Sequence, residues 1–233
     1  MPPSPDDRVR VGEIPVELFE PADAAPPRPG VLVIHESYGL NDDIRRIARR
    51  FADNGYVAAA PDVVSQGVRL VCVVRAMREP QTGRGRTVVA LEAVLDMLRA
   101  RDDVGRVGAA GFCFGGGFAL LLACRERLDA AAVYYGETRP REELARACPL
   151  VGGYGGKDRY LAGKARKLVV TLDDLGAEHD IRIYPDAGHS YMSRAGHPVL
   201  EALSRPLLHV EYDEAAAEDS WRRMLTFFGS KLS

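Results

Sequence analysis

The chain has 233 residues, 46% hydrophobic and 27% charged, a composition that fits one ordinary folded domain and argues against a disordered chain. Lys and Arg total 31 against 33 Asp and Glu, a formal net charge of -2, so neither a strongly basic nucleic-acid binder nor an acidic tail is indicated. No apolar run reaches the length of a membrane span, and MPPSPDDRVR lacks the apolar stretch of a signal peptide, so a cytoplasmic protein without membrane or nucleic-acid partners is expected.

In chain order, Val9–Phe19 mixes β-branched and polar residues around Gly12 and Pro15 and predicts one or two short edge strands. After a proline-rich loop, Val31–His35 is a short continuous apolar run of the kind that forms a strand buried on both faces. Asn41-Asp42-Asp43 supplies helix-start chemistry for Ile44, Ile47, Ala48 and Phe51 at helical spacing, and Tyr56–Ala60 is a second buried strand. Strand, helix, strand implies a parallel sheet with helical crossovers.

Val68–Met77 predicts a short helix, Gln81–Arg86 a loop, and Thr87–Ala100 an amphipathic helix. Strand Val104–Ala110 runs into Gly111-Phe-Cys-Phe-Gly-Gly-Gly117, followed by an apolar helix over Phe118–Cys124. Ala130–Tyr135, Leu150–Tyr154 and Asp180–Tyr184 predict strands; Leu161–Gly176 and Glu214–Phe228 predict helices. There is no repeat or long linker, so residues 1–233 are expected to form one domain.

The four cysteines form no C-x-x-C pair and the five histidines no H-E-x-x-H motif, so neither a metal nor a cofactor is expected. One cysteine stands apart. Gly111-Phe112-Cys113-Phe114-Gly115 has the form G-x-nucleophile-x-G between a strand and a helix. A nucleophile on such a tight turn needs small residues two positions either side, and the helix that begins there aims free amides and a positive dipole end at the site, which favours a thiolate. The competing assignment is a buried packing cysteine, as is expected for Cys72, Cys124 and Cys148.

A hydrolytic triad built on that turn needs an acid and then a histidine further along. Asp158 follows the strand Leu150–Tyr154, and His189 lies in the loop Pro185-Asp-Ala-Gly-His189 after the last strand. Asp186 and Asp173 are rival acids; His197, His179 and His209 show no partner pattern.

Four blocks, Val33-Ile-His-Glu36-Ser-Tyr-Gly39, Gly-Phe-Cys113-Phe-Gly-Gly, Tyr154-Gly-Gly-Lys-Asp158 and Tyr184-Pro-Asp-Ala-Gly-His189-Ser-Tyr, resemble the dienelactone hydrolase family in order and spacing. The resemblance implies an α/β-hydrolase fold, with a mostly parallel central sheet flanked by helices on both faces. It implies cofactor-free cleavage of an ester or enol-lactone of a small-molecule substrate by Cys113, His189 and Asp158. It gives Glu36 the role of helping to deprotonate the resting thiol, and backbone amides of Ser37 and Phe114 the role of oxyanion donors. Segments 63–86 and 194–213 would line the cleft, with Arg75, Tyr191 and Arg194 as substrate-binding candidates.

The pattern is not complete. Family members that cleave dienelactone hold its carboxylate with arginines, one a few residues beyond the catalytic histidine, whereas Arg194 here is offset and none of Arg69, Arg75 and Arg78 aligns convincingly. Alternatively the same triad acts on simple esters or thioesters, or the chain is an idle scaffold whose Cys113 senses oxidants. A monomer or small homo-oligomer is expected.

Overall fold

In the computed structural model, which describes residues 3–194 and 207–233, strand β3 (Arg28–Ile34) is fully buried from Gly30 onward, as its unbroken apolar run requires. His197 and the side chain of Arg69 lie outside the described residues. Around β3 are β1 (Asp7–Val11), β2 (Ile14–Phe19), β4 (Val57–Pro61), β5 (Val104–Phe112), β6 (Ala130–Tyr134), β7 (Leu150–Gly155) and β8 (His179–Tyr184). They form one eight-stranded sheet in the order β1-β2-β4-β3-β5-β6-β7-β8. Strands β4 through β8 and β3 run parallel, and the β1–β2 hairpin joins antiparallel, turning at Gly12 with φ 59°. Of the two hairpin strands only β1 lies at the edge: Val16–Phe19 of β2 is buried and pairs with β4 on its inner side, which corrects the edge assignment for that half of the segment.

The helices are α1 (Asp42–Ala52), α2 (Arg69–Ala76), α3 (Glu79–Thr82), α4 (Arg86–Arg99), α5 (Phe114–Ala123), α6 (Arg141–Leu144), α7 (Ala162–Leu175) and α8 (Glu214–Leu232). The side chain of Asn41 caps α1 by accepting from the amides of Asp43 and Ile44, both at 3.0 Å. From β3 to β4 the chain steps one way along the sheet; from β4 to β5 and on to β8 it steps the other. Right-handed crossovers therefore put α1 on one face and α4, α5 and α7 on the opposite face. Helix α8 returns to the α1 face, where Phe51 packs on Trp221 and Phe228. No described helix is long and apolar enough to cross a membrane.

The register carries the functional consequence. Ile34 is level with Gly111, Gly111 with Val133, Tyr134 with Gly153, and Gly155 with Tyr184. Strands β3, β5, β6, β7 and β8 thus end together, and the loops carrying His35–Ser37, Cys113, Tyr135, Asp158 and His189 leave from one edge, where open α/β sheets hold their ligands.

The two glycines of Gln81–Arg86 predict loop throughout, but α3 reaches Thr82. Pro80 in its first turn is preset for a helix, and Gly83 ends it in the left-handed region at φ 67°. The short α6 was likewise not anticipated; it follows Pro140, and the buried Arg139 ties it to α3 by donating to Pro80 O and pairing with Glu143. Glu79 then acts as the missing cap of α4. Its buried carboxylate accepts from the amides of Thr87 at 2.8 Å and Val88 at 3.2 Å, and Gly85, at φ 148°, leaves it room. Glu79→Ala should therefore lower stability by about 1–2 kcal/mol while leaving the sheet intact, as read from urea unfolding; an unchanged midpoint would show that α4 needs no cap from α3.

Candidate active site

The turn after β5 is set by close approaches of backbone. A side-chain carbon at Gly111 would overlap the carbonyl of Gly115, and one at Gly115 would overlap the carbonyl of Ile34. Between them Cys113 sits at φ 53°, ψ -115°, a left-handed conformation costly for any residue but glycine. Its amide donates to Tyr134 O at 3.0 Å and its carbonyl accepts from Gly116 at 3.0 Å, so both neighbours hold the strained unit in place. Cys113 occupies the N-cap position of α5, and as the first helical amide that of Phe114 has no acceptor within the helix.

The sulfur meets the other two blocks directly. Cys113 Sγ lies 3.0 Å from His189 Nε2, and His189 Nδ1 lies 2.7 Å from Asp158 Oδ2. Asp158 is fully buried, and its second oxygen accepts from the amides of Tyr160 and Leu161 at 3.0 Å each. That division of lone pairs leaves one carboxylate oxygen committed to the imidazole. Burial by itself would push the His189 pKa down, but the sulfur of Cys113 and the carboxylate of Asp158 outweigh it and raise the imidazole to about 10. Such a chain can take a thiol proton and hold it as imidazolium. The rival acids are elsewhere: Asp186 is exposed, and Asp173, in α7, pairs with His179.

His189 is held by the returning chain. Its amide donates to Leu208 O at 2.8 Å, and Gly188 fits so closely under His209 that a side-chain carbon there would overlap the His209 carbonyl. On the other side of the sulfur, buried His35 braces the loop after β3. The Val63 amide donates to its Nε2 at 3.2 Å, so the ring proton is on Nδ1, which donates to Glu36 O at 2.6 Å; its ring stacks on Phe114. The loop so fixed presents Ser37 to the cleft beside Cys113 and Phe114.

Glu36 is buried, and its Oε1 has no hydrogen-bond partner among the described residues. Desolvation raises its pKa from 4.5 to about 7, against the opposing pull of His189 and the hydroxyls of Ser190 and Ser193. A carboxyl poised there is neutral or ionised at little cost around physiological pH.

Tyr135 is a cleft residue that the strand assignment Ala130–Tyr135 concealed. It leaves β6 at φ 40°, its ring lies 5.3 Å from that of His189, and its buried hydroxyl has no partner among the described residues. The signal was there in part: a tyrosine followed by Gly136 at a strand end is where a chain turns off the sheet.

The cleft over Cys113 and His189 encloses about 670 Å³, a size ordinary for small-molecule sites. From the two segments expected to line it, Met77, Arg78, Pro80, Gln81, Thr82 and Leu208 do so. The three substrate-binding candidates do not. Arg75 is exposed in a separate hollow with Val71 and Val74 on α2. Tyr191 is fully buried beneath the site, its hydroxyl 2.8 Å from Ser220 Oγ. Arg194 points outward, donating to Tyr212 OH at 3.0 Å and lying over that ring, because Asp43 holds its amide at 2.9 Å; Ser193 is the residue turned to Glu36.

A model of the dienelactone hydrolase family matches residues 14–232. Among curated relatives, one from Escherichia coli K12, provisionally named a carboxymethylenebutenolidase, is 30% identical over 97% of this chain and 89% of its own length. The carboxymethylenebutenolidase of Pseudomonas putida is 27% identical over 72% of this chain and 77% of its own. Among solved structures, a dienelactone hydrolase-like promiscuous phosphotriesterase from metagenomic libraries superposes with a TM-score of 0.77 at 26% identity, covering 97% of both chains.

The four thiols should differ sharply toward an alkylating reagent. Burial pushes Cys124 and Cys148 up to about 12, and Cys72 is enclosed with its sulfur on Gln66 O, whereas Cys113 opens on the cleft. One equivalent of iodoacetamide near neutral pH should mark Cys113 alone by peptide mass spectrometry; earlier labelling of any other cysteine would contradict this placement.

Proposed function

The chain belongs to the dienelactone hydrolase family, a family of carboxylic ester hydrolases, and from that premise we propose that it cleaves an ester or lactone through an acyl-enzyme on Cys113. The observation that carries this is the continuous chain Cys113 Sγ–His189–Asp158, at 3.0 and 2.7 Å, on a strained turn at a helix start. In the first step the thiolate adds to the carbonyl carbon, and the oxyanion is received by the amides of Ser37 and Phe114. The carbon–oxygen bond to the leaving group then breaks, His189 gives that oxygen a proton, and a thioester remains. Water, deprotonated by His189, adds to the thioester; collapse expels the Cys113 thiolate and releases the acid. Asp158 keeps the imidazole in the required tautomer and stabilises its charged form.

Glu36 serves in this scheme as an auxiliary base for the resting thiol. Its pKa of about 7 supports the role, since an ordinary carboxyl would be too weak a base near neutrality.

Asp158→Asn should lower turnover of a p-nitrophenyl ester by about 10⁴, as loss of the orienting acid does in other triads, with Asp186→Asn near wild type. The reverse pattern would reassign the acid. Glu36→Gln should slow acylation by about 10²–10⁴ at pH 7 and remove the rise in rate that accompanies Glu36 ionisation, measured in pre-steady-state bursts across pH. The same variant tests the burial cost. The native carboxyl keeps its proton up to about 7, while the unfolded chain releases it near 4.5, so native stability falls as pH rises between those values. Glu36→Gln should therefore gain on the order of 2–3 kcal/mol relative to wild type by pH 8 and little at pH 4, in urea melts at both.

A further inference from the structure

We propose that the cleft selects an ester whose acyl group is uncharged and largely apolar, and discriminates against one that carries a carboxylate; this rests on the ester-hydrolase function given above. Apolar groups make up much of the wall beside Cys113: Met77, Pro80, Phe114, Leu161, Leu208 and the ring of Tyr160, with the uncharged Gln81 and Thr82 among them. Burial of alkyl or aryl surface there is favourable without any polar partner.

The charges are arranged against an anion. Glu137 lines the cleft, and its carboxylate is engaged by Lys164 at 2.8 Å and by the Tyr160 hydroxyl. That ammonium, lying over the Tyr160 ring, is thus already neutralised. Arg139 is buried against Glu143 and the Pro80 carbonyl and cannot turn to a ligand. Arg194 and Arg75 face away, and Glu36 is bordered by the hydroxyls of Ser190 and Ser193, with no guanidinium on it among the described residues.

Arg78 is the arginine that reaches the cleft among the described residues, and it does so from an exposed position at the rim, shared with the outer hollow, where solvent screens it. A substrate carboxylate entering this space would shed its water without a bidentate partner among the described residues and would approach the carboxylate of Glu137 and, once ionised, that of Glu36.

The test pairs p-nitrophenyl hydrogen glutarate with its methyl ester, which differ in charge and one methyl, and adds the p-nitrophenyl alkanoates from acetate to octanoate. Release of p-nitrophenolate by wild type should favour the neutral glutarate by about 50-fold or more in kcat/KM, and should climb by up to about fourfold per methylene until the cleft is filled. Equal or faster turnover of the acid would overturn the proposal, and loss of that turnover in Arg78→Ala would identify the rim arginine as a clamp after all. Failure of the hydrolase function itself reads differently: no ester is cleaved, or cleavage survives in Cys113→Ala. In that event calorimetry on Cys113→Ala decides the cleft preference alone, with octananilide expected to bind at least tenfold more tightly than glutaranilic acid, and the opposite order overturning it.

Discussion

Everything at this site depends on how closely helix α5 approaches the sheet. Gly111 and Gly115 let the carbonyls of Gly115 and Ile34 come within the space a side chain would take, and that contact forces Cys113 into its left-handed conformation. The strain is held by bonds on both sides, to Tyr134 and Gly116. Because β3, β5, β6, β7 and β8 end level, the same contact sets where the sulfur stands relative to loops that originate far apart in sequence.

The electrostatics follow from that placement. Asp158 directs one oxygen to the amides at the start of α7 and the other to His189, so the acid that orients the imidazole is itself fixed by backbone. Glu36 is the opposite case: a carboxyl with one oxygen unpartnered among the described residues, buried away from water at a cost to folding that grows as the pH rises. An amide in its place would escape that cost, so the carboxyl is a liability for folding at neutral pH.

What could be read from the sequence was what local geometry dictates. Glycines two positions either side of Cys113, between an apolar strand and an apolar helix, admit few backbone paths, and chain order with strand ends points to Asp158 and His189, the two residues the fold brings into line with the sulfur. The arginines were not legible in the same way, because a long side chain's reach is set by its neighbours. Arg194 is drawn outward by Asp43 and Tyr212, contacts that join residues 151 and 18 positions apart. Tyr191 has the composition of a cleft residue, yet the α8 residue Ser220 receives its hydroxyl from within the core. The capping of α4 by Glu79 was hidden for a similar reason, since Gly85, which makes room for it, resembles a glycine of a plain loop.

The two outer strands show how the sheet is kept to eight. On one side β1 carries Asp7, Arg8 and Arg10; on the other β8 carries Asp180 and Arg182, which pair with Arg223 and Asp219 of α8. A foreign strand adding to either margin would have to strip water from these groups, and at β8 also part an ion pair, before its first backbone bond formed. The parallel strands between them are the most apolar and template-like part of the chain, and it is these charged margins that insulate them from the sticky pairing through which sheets grow into fibrils.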